Sequence, residues 1–281
     1  MYQRGREKDF AGFGLAERSR EVLSEDLPLP LDDALIAEEV VHFRFFRSTL
    51  LWLDIVRSIT TGSTPQLSSD HFCVVAAGSQ TKLEEVMGCE NRVLLQIGRI
   101  AVLSHNTSAL RHDTPGRQRF DQRADEVGKD TRLGLSEGAM EDVLSSERNP
   151  IAVINASDTT GLVTYFFARM GIIYLHLLRY GYQELELLET TIAAAMELLR
   201  MSSTSLLPAL VCPLFFIGSV AAPGDVPFFR DAFSSPPLLE PALKHRARIL
   251  PVLEEIWNRR GNSTKLSWNN VLELTYDILL I

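Results

Sequence analysis

The sequence predicts an all-α protein, and three observations carry that expectation. Apolar residues recur at steps of three and four through several long segments, no run alternates apolar and polar residues between hairpin turns, and no internal repeat is found. The architecture expected is a single bundle-like domain of long packed helices with a polar central region. Composition agrees: a chain of 281 residues that is 46% hydrophobic and 23% charged can bury a core, and it falls outside the disordered and collagen-like classes.

Residues 1–30 read as a flexible N-terminal tail or linker, because charges are mixed, Gly5, Gly12 and Gly14 interrupt it, and Leu-Pro-Leu-Pro breaks any helix before it. The helical domain is expected over 31–281, with order starting near Asp32. Ile36, Val40, Phe43, Phe46, Leu50 and Leu53 share one face of a long helix that Gly62 and Pro65 end. The run Phe72 to Ala77 fits strand or helix and is assigned to helix. Val93, Leu94, Ile97, Ile100 and Ala101 form the stripe of a helix over Asn91 to Leu103. Over 107–150 the apolar residues thin out and charges of both signs mix, so a variable solvated loop with one or two short surface helices is expected.

Beyond it, Leu162, Phe166, Met170, Ile173 and Leu177 define a second long helix, closed by Gly181 at the position of a left-handed cap. Leu185, Leu188, Ile192, Met196 and Leu199 define the next, joined so tightly to its predecessor that the two should form a hairpin. Leu206 to Ala222 is apolar on all sides and reads as the most buried helix, with a kink expected at Pro213. Ile249, Leu253, Ile256 and Trp257 mark a further inner face ended by Gly261. Ser267 caps a last helix expected over Trp268 to Leu280.

The formal charge of −8 argues against a nucleic-acid surface, which needs concentrated Lys and Arg, so any link to DNA must be indirect. Cys73, Cys89 and Cys212 are too few and too scattered for a disulfide framework or a Cys-only zinc site, which makes the reducing cell interior the default. No signal-peptide pattern follows the first residues, so the sequons at Asn106, Asn155 and Asn262 read as chance matches. Leu206–Ala222 sits at the short end of the spanning range of about 17–25 residues, carries Pro208, Pro213 and Gly218, and lacks a basic flank. It reads as a core helix, not a membrane helix.

Motifs that would carry chemistry are incomplete. Glu39 and His42 match the Glu-x-x-His element of di-iron bundles, but that site needs the element twice and no other His has Glu three residues before it; a polar pair on a helix edge is the reading. His71 and Cys73 lack further ligands at metal-site spacing. Asp32 and Asp33 lack the third carboxylate of an isoprenoid-synthase metal motif, since Ile36 stands there, and suit a helix N-terminus instead. Gly12-Phe-Gly14 is not a dinucleotide loop, because Glu17 replaces the final Gly, and Gly128-Lys129-Asp130 lacks the rest of a phosphate loop. There is no Gly-x-Ser-x-Gly elbow. Cys89 gains no activation from Glu90, and Cys212 reads as an inert core thiol. Trp52, Trp257 and Trp268 read as core residues, with a ligand-pocket wall as the alternative. No catalytic, metal-ligating or cofactor-binding residue is nominated, and ligand-binding residues are left unassigned.

Four segments read together carry a family resemblance. FFRSTLLWLDIVRSITTGSTPQL (Phe45 to Leu67) resembles a helix with a Trp-Leu-Asp core and a Ser/Thr-Gly-x-x-Pro turn. MGCENRVLLQIGRIAVL (Met87 to Leu103) is similar to a Met-Gly-Cys segment with its following helix, and Leu206 to Ala221 to a buried Pro-Leu-Phe-Ile-x-Gly helix. Arg248 to Glu273 resembles a closing helix with its Trp and a second Trp-containing segment. In order and spacing they resemble the fungal-specific transcription factor domain that lies C-terminal to the zinc binuclear-cluster module of many fungal regulators.

The resemblance implies an all-α effector domain that controls RNA polymerase II transcription in the nucleus. Its contacts would be protein partners: the transcription machinery or a full-length zinc-cluster regulator. A small hydrophobic ligand and a dimer are compatible with it; a cofactor, direct nucleic-acid contact, a membrane and enzymatic activity are not expected. The zinc module needs six Cys and this chain has three in all, so it is either the effector part of a longer regulator or a stand-alone relative. The alternatives are an all-α enzyme acting on isoprenoid or lipid-like substrates, and a dominant-negative or bridging partner of full-length regulators.

Overall fold

The computed structural model describes residues 33–67, 83–110, 114–136, 159–262 and 266–281; side chains of 33–39, 106–110, 114 and 131–136 are outside the description. The assigned helix at Phe72 to Ala77 therefore lies outside the described residues. Backbone contacts divide the chain into Met1–Val41 and His42–Ile281. Of the first unit only 33–41 are described, as the opening turns of a helix.

That helix, α1, runs Asp33–Thr61. Its second half presents Leu51, Trp52, Ile55, Val56 and Ile59 to the core, all buried. At about 100° per residue, Phe43, Phe46, Leu50, Asp54 and Thr61 fall on the opposite side. The apolar face expected to run from Ile36 to Leu53 is therefore not a core face throughout: Phe43 is 65% exposed and Phe46 60%. Gly62, at φ 65°, ends the helix, and a Cβ there would stand 2.7 Å from Leu272 Cδ1. The chain then folds back along α1, because the two carboxylate oxygens of Asp54 accept from the N–H groups of Gln66 (3.1 Å) and Leu67 (2.9 Å).

A one-turn helix, α2 (Glu84–Met87), ends on Gly88 at φ 67° and leads into α3 (Asn91–Leu110). The Glu90 N–H donates to Thr164 Oγ1 at 3.0 Å and the Leu83 N–H to Asn91 Oδ1 at 2.8 Å, which pins this turn in place. α4 runs Thr114–Ser136, where a solvated loop with short surface helices was expected over 107–150. The physical reason is a narrow seam: Phe120 and Ala124 are fully buried while their neighbours are charged and exposed. A Cβ on Gly128, one turn further on, would stand 3.1 Å from Leu175 Cδ2, so the glycine lets α4 pack closely on its neighbour. Ion pairs flank the seam, Arg179 with Asp121 (3.5 Å) and Asp125 (2.6 Å), and Arg99 with Asp130 (3.3 Å).

α5 (Thr159–Tyr180) is the centre of this unit and packs against α3, α4 and the later helix Val211–Val220. Its length and hydropathy match a membrane span, yet 78% of that stretch is buried inside the protein. Gly181 closes it as expected, at φ 64° with its N–H on the Leu177 carbonyl at 3.0 Å. After a 3-10 turn at Leu185–Leu188, α6 (Glu189–Met201) packs on α5.

Leu206 to Ala222 is not one helix kinked at Pro213. A 3-10 segment, Thr204–Leu210, passes into α7, Val211–Val220, at Leu210. Pro213 lies in the first turn of α7, where N–H groups have no intrahelical acceptor, so it removes no bond and makes no kink. All ten residues of α7 are buried. α8 (Val226–Ser234) supplies Phe229 and Phe233 to the core, and after a 3-10 segment at Pro241–Arg248, α9 runs Ile249–Asn262. The last helix, α10, is Trp268–Thr275, five residues shorter than the expected end at Leu280, and Ser267 caps it through a reciprocal pair with Asn270. Thr275 Oγ donates to the Thr60 carbonyl at 2.9 Å, which ties α10 to the end of α1. Every element of the described residues is helical or a turn, as an all-α fold requires.

Candidate functional site

The four segments that carry the resemblance meet around α5 and α7. Trp52 packs edge-on against Phe167 of α5, ring centroids 5.3 Å apart. Gly88 faces Val163 of α5, and Cys89 beside it is fully buried. Trp268 stacks on Phe216 of α7 at 5.0 Å and lies 5.3 Å from Tyr174 of α5. Trp257 donates its Nε1–H to the Gly218 carbonyl at 2.8 Å. Each motif residue thus holds a joint between helices.

The end of α7 shows how such a joint works. The last carbonyls of a helix have no intrahelical donor, and here they are buried. Arg260 supplies the donors, with Nη1 on the carbonyls of Ser219 (2.8 Å) and Ala221 (3.1 Å). Its guanidinium lies over the Tyr182 ring at 5.7 Å, and burial lowers its pKa from the ordinary arginine value. Gly218 is needed for closeness, because a Cβ there would stand 2.9 Å from the Phe229 ring.

A second buried arginine escaped the sequence reading. Arg246 is 6% exposed; its Nε donates to the Ile281 carbonyl at 2.7 Å and its Nη2 approaches the Pro208 carbonyl at 3.4 Å. Burial lowers its pKa, with Glu240 opposing. No sequence signal marks it, since its setting is made by two segments distant in the chain.

The residues weighed for chemistry do not assemble into a reactive group among the described residues. Burial pushes the Cys89 and Cys212 thiols up, so neither supplies a thiolate near neutral pH. His42 is exposed; the Glu39 side chain, Asp32, His71, Cys73 and the Gly12–Gly14 run lie outside the description. Lys129 is exposed on α4 and Asp130 pairs with Arg99. No group of three His, Cys, Asp or Glu side chains converges at metal-binding distance among the described residues. Among the described residues the most buried His is His176, held by the Gln183 carbonyl at 2.9 Å; its pKa is lowered by burial, against the pull of that bond.

Two cavities can be described. A groove of about 820 Å³ opens between Thr61, the start of α9 and α10, walled by Val252, Leu272, Leu274 and Ile278 and rimmed by Arg248, Glu273 and Asp277. A smaller one of about 170 Å³ lies at the C-terminal end of α5, beside Gln183 and Ser267. Neither of these two is lined by residues of Leu206–Ala222.

Comparison with known proteins decides the family. Residues 29–281 match the model of the fungal specific transcription factor domain. The chain belongs to that family. Among curated relatives, the fungal-specific transcription factor domain described here is 39% identical over 267 residues to the pestheic acid cluster transcriptional regulator 3 of Pestalotiopsis fici, covering 92% of this chain and 47% of that protein. It is 28% identical to the transcription factor dibT of Pestalotiopsis microspora, covering 80% of this chain and 38% of the relative. It is 25% identical to the trichothecene biosynthesis transcription regulator TRI10 of Trichoderma arundinaceum, covering 83% and 52%. The chain thus spans about half or less of the length of these relatives. No solved structure matches.

Proposed function

We propose that this domain is the regulatory part of a fungal transcription regulator, acting in the nucleus through protein contacts and not as an enzyme. The observation that supports it is the placement of the family's segments: Trp52, Gly88, Trp257 and Trp268 hold helix joints around α5 and α7. A domain whose distinctive residues fix helix packing changes its output by shifting between helix arrangements, each presenting a different surface. Nucleic acid would be read elsewhere, by a module with the cysteines that this chain lacks or by a partner that carries one. The pestheic acid and trichothecene regulators are named for biosynthetic gene sets, and we assign this chain to the same class of target, the genes of a metabolite pathway.

The test is tethering. The whole chain, fused to an unrelated DNA-binding module in a fungal host, should change expression of a reporter carrying that module's site several-fold in either direction. A reporter indistinguishable from one driven by the module alone, with the fusion present in the nucleus, would refute the regulatory reading.

A further inference from the structure

We propose that Ser203 is a phosphorylation site, read by a protein kinase that requires an arginine three residues before its serine, and that the phosphate takes Arg200 from Asp225 and so loosens the start of α8. The site lies where α6 ends and the 3-10 segment Thr204–Leu210 begins. Ser202 (φ −72°, ψ 150°) and Ser203 (φ −62°, ψ 138°) are both extended, the backbone form in which a kinase cleft holds its substrate. Met201, Ser203, Thr204 and Ser205 are exposed. Only the last turn of α6, where helices fray, has to open for Arg200 to be read with them.

Ser203 stands apart from the hydroxyls around it. Ser202 donates its Oγ–H to the Leu198 carbonyl at 2.6 Å and closes α6, while Thr204 and Ser205 already belong to the 3-10 segment. The Ser203 Oγ bonds to the N–H of Ser205 at 3.3 Å and to its hydroxyl at 2.8 Å, so its contacts are with an exposed neighbour. Thr60 has the same spacing to an arginine, Arg57, but is 2% exposed and donates its hydroxyl inside α1. No other Ser or Thr with a described side chain has Arg at that spacing.

Transfer forms a bond from Ser203 Oγ to the γ-phosphorus of a nucleoside triphosphate as the bond to its β–γ bridging oxygen breaks; the nucleoside diphosphate leaves and the hydroxyl proton passes to a carboxylate of the kinase. The product carries a charge of about −2 at neutral pH. Arg200, three residues back, has a guanidinium that is 54% exposed and bound to Asp225 Oδ1. Three residues span at most about 10 Å, which an extended arginine and a phosphoserine close between them. A guanidinium grips phosphate through two charge-assisted hydrogen bonds, against the single one it makes to Asp225. The Asp225 carboxylate, 19% exposed, then loses that partner while an anion has been added nearby. Asp225 stands at the N-terminal boundary of α8, the helix that brings Phe229 and Phe233 into the core, so the loss is felt there. The site stands on this geometry and holds whether or not the chain regulates transcription.

The experiment treats the full 281-residue chain with magnesium–ATP and a calmodulin-dependent protein kinase, which reads one arginine at that spacing, and locates phosphate by mass spectrometry. Ser203 should take up close to one phosphate, and Arg200→Gln should slow that by about tenfold. Amide hydrogen exchange over 222–228 should run about tenfold faster in the modified chain, with α5 unchanged. Ser203→Ala after the same treatment should exchange as the untreated wild type does. Unmodified Arg200→Gln should exchange as fast as the phosphorylated chain, because it breaks the same link. A chain left unmodified at Ser203, phosphate on Ser202, Thr204 or Ser205 in its place, an Arg200→Gln variant modified as fast as the wild type, or exchange over 222–228 unmoved by the phosphate would overturn the proposal.

Discussion

α7 and α4 both pack on α5, and they do so in opposite ways. α7 is enclosed by other elements, and its C-terminal end is served by side chains from elsewhere, Arg260 and Trp257. α4 offers one thin seam of Phe120, Ala124 and Gly128, and leaves its charges in water or in ion pairs with Arg179 and Arg99. Position in the fold is thus set by the few residues that touch a neighbour, and the average polarity of a helix says little about whether it is needed.

The largest effects would come from emptying each contact in turn. Phe216→Ala removes the ring stacked on Trp268 and should cost about 3–5 kcal/mol in urea unfolding. Phe120→Ala should fall in the same range of about 3–5 kcal/mol, although its helix is mostly polar. A loss below about 0.5 kcal/mol, as expected of a surface position, would show that α4 is not an integral part of the core and break the comparison.

Next in size is Arg260→Ala, which leaves the Ser219 and Ala221 carbonyls without donors; we expect a loss of about 1.5–3 kcal/mol by the same measurement. Arg260→Lys should recover only part, because one ammonium cannot reproduce the planar fork over Tyr182. Full recovery would reduce Arg260 to a point charge.

The smallest effect is one of pH. His176 has its pKa lowered by burial, so its folded value lies below the unfolded value of about 6.5. The unfolded chain therefore binds the extra proton first, and the His176 contribution is intact above about pH 6.5 and lost as pH falls below it. Urea midpoints should decline on acidification through that window, and His176→Gln should flatten the decline. An unchanged slope would place the acid sensitivity elsewhere.

Much of the fold was legible because its signals are local. The step of three and four in Leu162 to Leu177, the glycine after it and Ser267 before α10 each state an element and its limit within a few residues. α4 was missed because its seam holds one large residue, and Ala124 and Gly128 register as small instead of apolar. The outer half of α1 misled for the converse reason: periodicity reports a face, but only tertiary contact says whether anything lies against it. Pro213 suggested a kink because the change from 3-10 to α geometry at Leu210 has no sequence mark. As for the site, the four motif segments and the helix α5 could each be seen, but not that the segments meet on α5, since a helix that receives the contacts of others needs only to be apolar. Arg246 was hidden altogether, its environment being made by Pro208 and Ile281.

The bond from Thr275 to the Thr60 carbonyl bears on how the chain is made. Those residues are 215 positions apart, and Leu272 of the same helix covers Gly62 at the turn. At a ribosomal rate of about 5–20 residues per second, the end of α1 waits roughly ten to forty seconds for its closing partner to be synthesised. Throughout that interval the Thr60 carbonyl and the turn at Gly62 lack the groups that cover them, so the first long helix is sealed at its end only by the last one to be made.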